Sequence, residues 1–347
     1  MMRLIVLLVF TVFFSEALFA KVISTPKSGK VIEEDGSIHL GWFDRPFSSI
    51  SPSMKKRAWH CMLLTNTEVM VGIFVVKTSY LSKSFIYVTD VKSGESTSFK
   101  QMIPLLNAAT IAPSSIHGES YFSSKKHKVS IKNSEHAQII EVQSFDHGHE
   151  ITGAFSIFEE GEPMVSVYEV APGKFVYTHQ NIMYSAEGKI KVDGKEYLFK
   201  RDNSYAFMDY TVGQHPYRSG WQAAIARGKS SDGDDIGINL TAPLFSRSKD
   251  WPSVYWVNGK IHYQAGVEFD YNNNNLESTW TITSRDESIF LTQDPVTAFY
   301  DILNLGIVSN TFVEPLGSFQ GFIQSSDGKE ITVENLLGVS EYYFVKW

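Results

Sequence analysis

The 347-residue chain has one cysteine, Cys61, so no intrachain disulfide is available and the fold must rest on its core. Cys61 stands in the apolar run CMLL, which predicts a buried and inert thiol. No Cys-x-x-Cys or zinc-type spacing occurs, and nothing in the sequence calls for a metal or a cofactor. Basic excess is lacking too: 31 Lys and Arg stand against 38 Asp and Glu, a net charge of −7. That balance excludes the basic stripe of a nucleic-acid binder and argues against tight attraction to anionic membranes. Beyond residue 20, no apolar run approaches the roughly 18 residues of a membrane-spanning helix. The Gly-x-Ser-x-Gly elbow, the phosphate loop, His-Glu-x-x-His and Gly-x-Gly-x-x-Gly are all missing. The segment GKSSDG at 228–233 lacks phosphate-loop spacing.

The first twenty residues read as a secretory signal: Arg3, an apolar run over 4–14, then small residues ending at Ala20. A mature chain would start near Lys21, exported to the periplasm or beyond, with no integral span after cleavage. An uncleaved anchor is the alternative. Aromatics make up 14% of the chain. Turn dipeptides recur at Asp35-Gly36, Asp193-Gly194, Asp232-Gly233, Asn258-Gly259 and Asp327-Gly328. Such pairs accept the positive φ of tight hairpins. Alternating runs flank several of them, as in KIKVDGKEYLF and VYWVNGKIHYQAGVEF, and predict antiparallel strands. Two short stretches, 101–110 and 296–305, are expected as the few helices. Strands at this spacing point to an all-β fold of antiparallel barrels or sandwiches. Pro172-Gly173 falls about halfway through the mature chain and suggests two domains, 21–170 and 171–347. VDGKEYLF and VNGKIHYQ echo one another, either as a repeated hairpin or by chance.

The densest chemistry lies in FMDYTVGQHPYRSGW, residues 207–221. Asp209 ends a strand-like run, Gly213 and Pro216 force a corner, and Trp221 opens the next strand. With Tyr210 and His215 beside it, Asp209 is a candidate acid–base group. Arg218 and Trp221 are candidates for ligand contact or for the domain junction. The competing reading makes Asp209 a turn cap or the ion-pair partner of Arg218. Upstream, Trp59, which opens the first strand pair, and Arg45 are further candidates for ligand contact or for the junction, and Arg45 could stack on Trp42 to close a barrel end. His147 and His149, two apart, could share a metal on a strand, but Gly148 between them favours a solvated hairpin tip. The triplet Asn239-Leu240-Thr241 matches a glycosylation acceptor by chance, since it lies in a strand-like run.

These segments resemble the uncharacterised family known as domain of unknown function 2804. The likeness runs from GWFDRP and RAWHCMLL through AFMDYTVGQHPYRSGWQAAIARG to LLGVSEYYFVKW. Its most specific element is Asp-x-x-x-Gly-x-x-Pro-Tyr-x-x-x-Trp at 209–221. The chain departs from the family pattern at Val212, at WQAA, and in carrying an export signal. The layout is also similar to proteins with two lipocalin-like barrels, such as carotenoid hydratases. That likeness implies a ligand pocket between or inside the barrels and an acidic residue near the junction that protonates an alkene. Three functions follow as expectations: binding of a hydrophobic or amphipathic small molecule such as a lipid or isoprenoid; a hydratase, isomerase or cyclase using Asp209 as general acid; or a structural protein with no ligand.

Overall fold

The computed structural model describes residues 21–347 apart from 106, 135, 246–250, 265, 326 and 327. The expected signal over 1–20 and the aspartate of the Asp327-Gly328 turn lie outside the described residues. The chain is all-β, in two curled antiparallel sheets that each form a half-barrel. The first sheet takes β1 (Val22–Ile23), β2 (Gly41–Phe43), β3 (Arg57–Thr65), β4 (Val69–Thr78), β5 (Leu81–Asp90), β6 (Ser96–Pro104), β7 (Ala109–Thr110), β8 (Gly118–Ser123), β9 (His127–Asn133), β10 (Ala137–Asp146), β11 (His149–Glu159), β12 (Met164–Ala171), β13 (Lys174–Val192), β14 (Lys195–Phe199) and β15 (Tyr205–Gly213). The second takes β16 (Arg218–Lys229), β17 (Asp235–Pro243), β18 (Val254–Val257), β19 (Lys260–Tyr263), β20 (Val267–Asp270), β21 (Trp280–Ser284), β22 (Ile289–Asn304), β23 (Ser309–Gln324) and β24 (Glu330–Lys346). Among the described strand pairs only β1–β2, two residues long, is parallel. Among the described residues no helix is long and apolar enough to cross a membrane.

Both sheets are wound by one rule. In each, the first long strand pairs with the last, β3 with β15 and β16 with β24. The open edges, β6 and β7 or β19 and β20, are consecutive in sequence. The hairpin tips at His147-Gly148, Asp193-Gly194 and Asn258-Gly259 hold positive φ at both residues, as the twist of a two-residue hairpin requires. The two echoing segments are such tips, β13–β14 and β18–β19: the same local device at different places in their sheets.

Two expectations are corrected. The stretches expected as helices lie largely in β6 and β22, leaving a single 3-10 turn at Pro52–Met54 among the described residues. Along β22, Phe299 and Asp301 are buried while Tyr300 and Ile302 are exposed, a period of two that sheet pairing imposes over local apolar clustering. The Pro172-Gly173 turn joins β12 to β13, which pair with each other, so it lies inside the first sheet. The chain changes sheets at 214–217, just after Gly213.

Alternation along the strands creates three cores. In β3, Ala58, Met62 and Leu64 face the interior of the first curl, while Trp59, Cys61 and Leu63 face the second sheet. In β16, Ala224 and Ala226 fill the second curl, while Ala223 and Ile225 face the first sheet. The middle core is thus shared by both sheets. At one end it is clamped by Arg227 of β16, which reaches the carbonyl oxygen of Tyr184 in the first sheet at 2.7 Å and Asp235 at 2.8 Å.

Candidate functional site

The shared core is not filled. A cavity of about 140 Å³ lies between the sheets, walled by aromatic side chains including Trp59, Phe74, Phe85, Trp221 and Tyr343. Four carboxyl groups line it: Asp301, held by Lys83, which lines it too, and the three others, Asp209, Glu314 and Glu341. None of these three others forms an ion pair among the described residues. Burial pushes Asp209 up, and hydrogen bonds from Thr211, Trp59 and Gln180 pull it back toward the charged form. Burial raises Glu314 to about 8. Glu341 is pushed well above the usual range, first by burial and then by the neighbouring Glu314.

Each of the three meets an aromatic donor. Trp59 Nε1 donates to Asp209 Oδ2 at 2.8 Å, Trp221 Nε1 to Glu341 Oε1 at 2.6 Å, and the Tyr87 hydroxyl to Glu314 Oε2 at 2.6 Å. The two indoles stack on one another, centroids 5.6 Å apart and 22° between planes. Thr211 Oγ1 adds a second donor to Asp209 at 2.5 Å, and Gln180 is itself held by Asn239 across the sheet boundary at 2.7 Å. Room for the Tyr87 ring is made by Gly72, its register partner: a Cβ there would lie 2.2 Å from the ring. Cys61, opposite Asp209 in register, is buried, and burial and then the three carboxyls push its thiol well up.

Of the residues expected from the sequence, Asp209, His215, Trp59 and Trp221 converge on this cavity. His215 packs against Trp59 at 5.1 Å; its Nε2 is buried without a partner, and burial lowers the ring to about 3, so it is neutral. Tyr210 does not join them. Strand alternation turns it into the first curl, where its hydroxyl donates to Ala112 O at 2.8 Å and its ring packs on His60. Arg218 is exposed over Phe245, 5.3 Å from the ring, and is not the partner of Asp209. Arg45 is also at the surface, its side chain 72% exposed beside Asp44. Trp42 packs edge-on against Tyr263 of the second sheet instead of on Arg45. His147 is exposed at the β10–β11 tip, where His149 Nδ1 meets Asp193 at 2.6 Å. Asn239 is buried, in contact with Gln180.

Glu314 and Glu341 were not singled out as chemistry from the sequence. The signal is there: in FVEPLG and VSEYYF, each glutamate shares a period-two face with apolar neighbours, Phe312 and Leu316 or Val339 and Tyr343.

Kievitone hydratase from Nectria haematococca superposes on this chain with a TM-score of 0.48 at 12% identity, over 84% of this chain and 89% of its own. The CghA structure does so with a TM-score of 0.48 at 11% identity, over 94% of each chain. No protein of curated function matches the sequence. Residues 23–347 match the family described as "Domain of unknown function (DUF2804)", and to that family the chain belongs.

Proposed function

We propose that the protein binds a small, neutral, largely apolar molecule in the cavity between its sheets and acts on it by acid–base chemistry. One observation carries this reading: three carboxyl groups with no cationic partner among the described residues line one aromatic-walled cavity. Such walls favour an apolar ligand, and a few placed polar groups orient it. Lys83 of the lining is neutralised by Asp301, and protonated glutamates, the usual means of donating a proton near neutral pH, bring no charge to attract a charged ligand. The unpartnered Nε2 of His215 offers one further hydrogen bond to a ligand. Isoprenoid-like alcohols and ketones fit this chemistry. The sequence pattern of residues 1–20 further suggests that the protein meets its ligand outside the cytoplasm.

The test is a titration of tryptophan fluorescence with geraniol, geranylamine and geranate at pH 7. Saturable quenching by geraniol is expected, because Trp59 and Trp221 wall the cavity. Geranate should give none, and geranylamine should bind more weakly than geraniol. No response to geraniol, or preference for either charged probe, would overturn the reading.

A further inference from the structure

The two indole–carboxyl pairs are built the same way. Trp59 faces Thr211 across the β3–β15 seam and reaches the carboxyl two residues earlier, Asp209. Trp221 faces Tyr343 across the β16–β24 seam and also reaches the carboxyl two residues earlier, Glu341. The stacking of the two indoles brings both pairs to one cavity, one pair from each sheet.

Their surroundings differ. Asp209 accepts from Trp59, Thr211 and Gln180, an array suited to a carboxylate. Glu341 accepts from Trp221 alone among the described residues and has two acidic neighbours, Glu314 and Asp209, which favours the protonated form. Two carboxyls in one cavity whose surroundings drive them apart define a base and an acid.

We infer that Asp209 is the base and Glu341 the acid of a proton-transfer site for an apolar ketone, a role for Asp209 opposite to that of general acid. The inference rests on the cavity reading above. Asp209 carboxylate takes a proton from the carbon next to the carbonyl. The C–H electron pair becomes a C=C bond while Glu341 donates a hydrogen bond to the carbonyl oxygen, which carries the developing charge. When the proton on Asp209 has first been traded for a deuteron from solvent, return of that deuteron to the same carbon gives exchange. Return to the far carbon of a conjugated system gives an isomer. Both carboxyls end as they began, and no oxidant or reductant is consumed.

The experiment follows loss of the α-proton signals of 2-tetralone in D2O by NMR, with the full chain from residue 21. Wild type should accelerate exchange. Asp209→Asn should lose at least about 100-fold of that acceleration, and Glu341→Gln about 10- to 100-fold. Thr211→Val keeps the shape of its site and removes one donor to Asp209, so the rising limb of the pH–rate profile should move to higher pH. In infrared spectra at pH 7, taken in a Glu314→Gln background so that Glu314 contributes no signal, a protonated-carboxyl band should vanish in Glu341→Gln and persist in Asp209→Asn. A protein that binds geraniol yet leaves tetralone exchange unchanged would sink the inference and spare the cavity reading. Loss of the protonated band in Asp209→Asn would reverse the roles and overturn it. Failure to bind geraniol would take down the cavity reading and this inference together.

Discussion

Glu314 shows how much one side chain costs this protein. It is 2% exposed, and its one aromatic donor, Tyr87, offsets only part of the cost of burying a charge. The folded state raises its pKa from the ordinary 4.5 to about 8, so between those values the folded form holds a proton that the unfolded chain gives up. Its contribution is therefore present at low pH and fades as pH rises through 8, at up to about 1.4 kcal/mol per pH unit. Glu314→Gln keeps an acceptor for Tyr87 and removes the titration. The variant should unfold at higher urea than wild type at pH 9, and lose part of the wild-type decline between pH 6.5 and 8. Cys61 gives a second test at this scale. Its thiol is buried among the same carboxyls, so 5,5′-dithiobis(2-nitrobenzoate) should label it at least about 100-fold more slowly in the folded protein than in urea. Rapid labelling of the native protein would mean that the cavity is open to bulk solvent.

At the scale of the element, β16 carries the junction. One face presents Trp221, Ala223, Ile225 and Arg227 to the first sheet, and Arg227 ends the row as a clamp. Arg227→Ala would leave Asp235 and the carbonyl of Tyr184 without their donor, a loss of about 3–5 kcal/mol read from urea unfolding. The seam partner of β16 is equally constrained. A Cβ on Gly338 would lie 2.1 Å from the carbonyl oxygen of Ile225, so Gly338→Ala should part β24 from β16 and cost more than 2 kcal/mol by the same measurement. The hairpins were legible in the sequence, because Asp193-Gly194 and Asn258-Gly259 announce their turns locally. So were the indoles and Asp209, set in one unusual segment or beside a strand start. The seams were not legible, since nothing near Trp59 tells that it will face Thr211 about 150 residues away. Glu314 and Glu341 were hidden for a related reason. A charged residue in an alternating strand reads as solvent-facing, and only a second sheet packed on that face makes it a cavity group.

At the scale of the molecule, the buried titratable groups fall into two opposed sets. Burial lowers His60, His179 and His215 to about 3 and His127 to about 4. These rings stay neutral when folded, so their contribution is full above 6.5 and is lost as pH falls toward 3–4. Glu314, raised to about 8, acts in the other direction and weakens the fold as pH rises toward that value, and the raised Glu341 acts in the same sense. Below 6.5 the four histidines outweigh the two raised glutamates; above it the glutamates act alone. Stability should peak near pH 6.5, and a monotonic rise of the urea midpoint from pH 5 to 9 would contradict this balance.

The pairing of first strand with last has a consequence for how the chain is made. Trp59 is synthesised early but meets Asp209 only after β15 emerges, and Trp221 waits for β24, the final strand before Trp347. During synthesis each half-wound sheet therefore carries an unpaired edge, the kind that recruits neighbouring chains. Trp59 has its carboxyl as soon as β15 is made, whereas Trp221 gains one only with β24, so a ribosome that stops short of residue 341 releases a protein with the first indole–carboxyl pair and without the second.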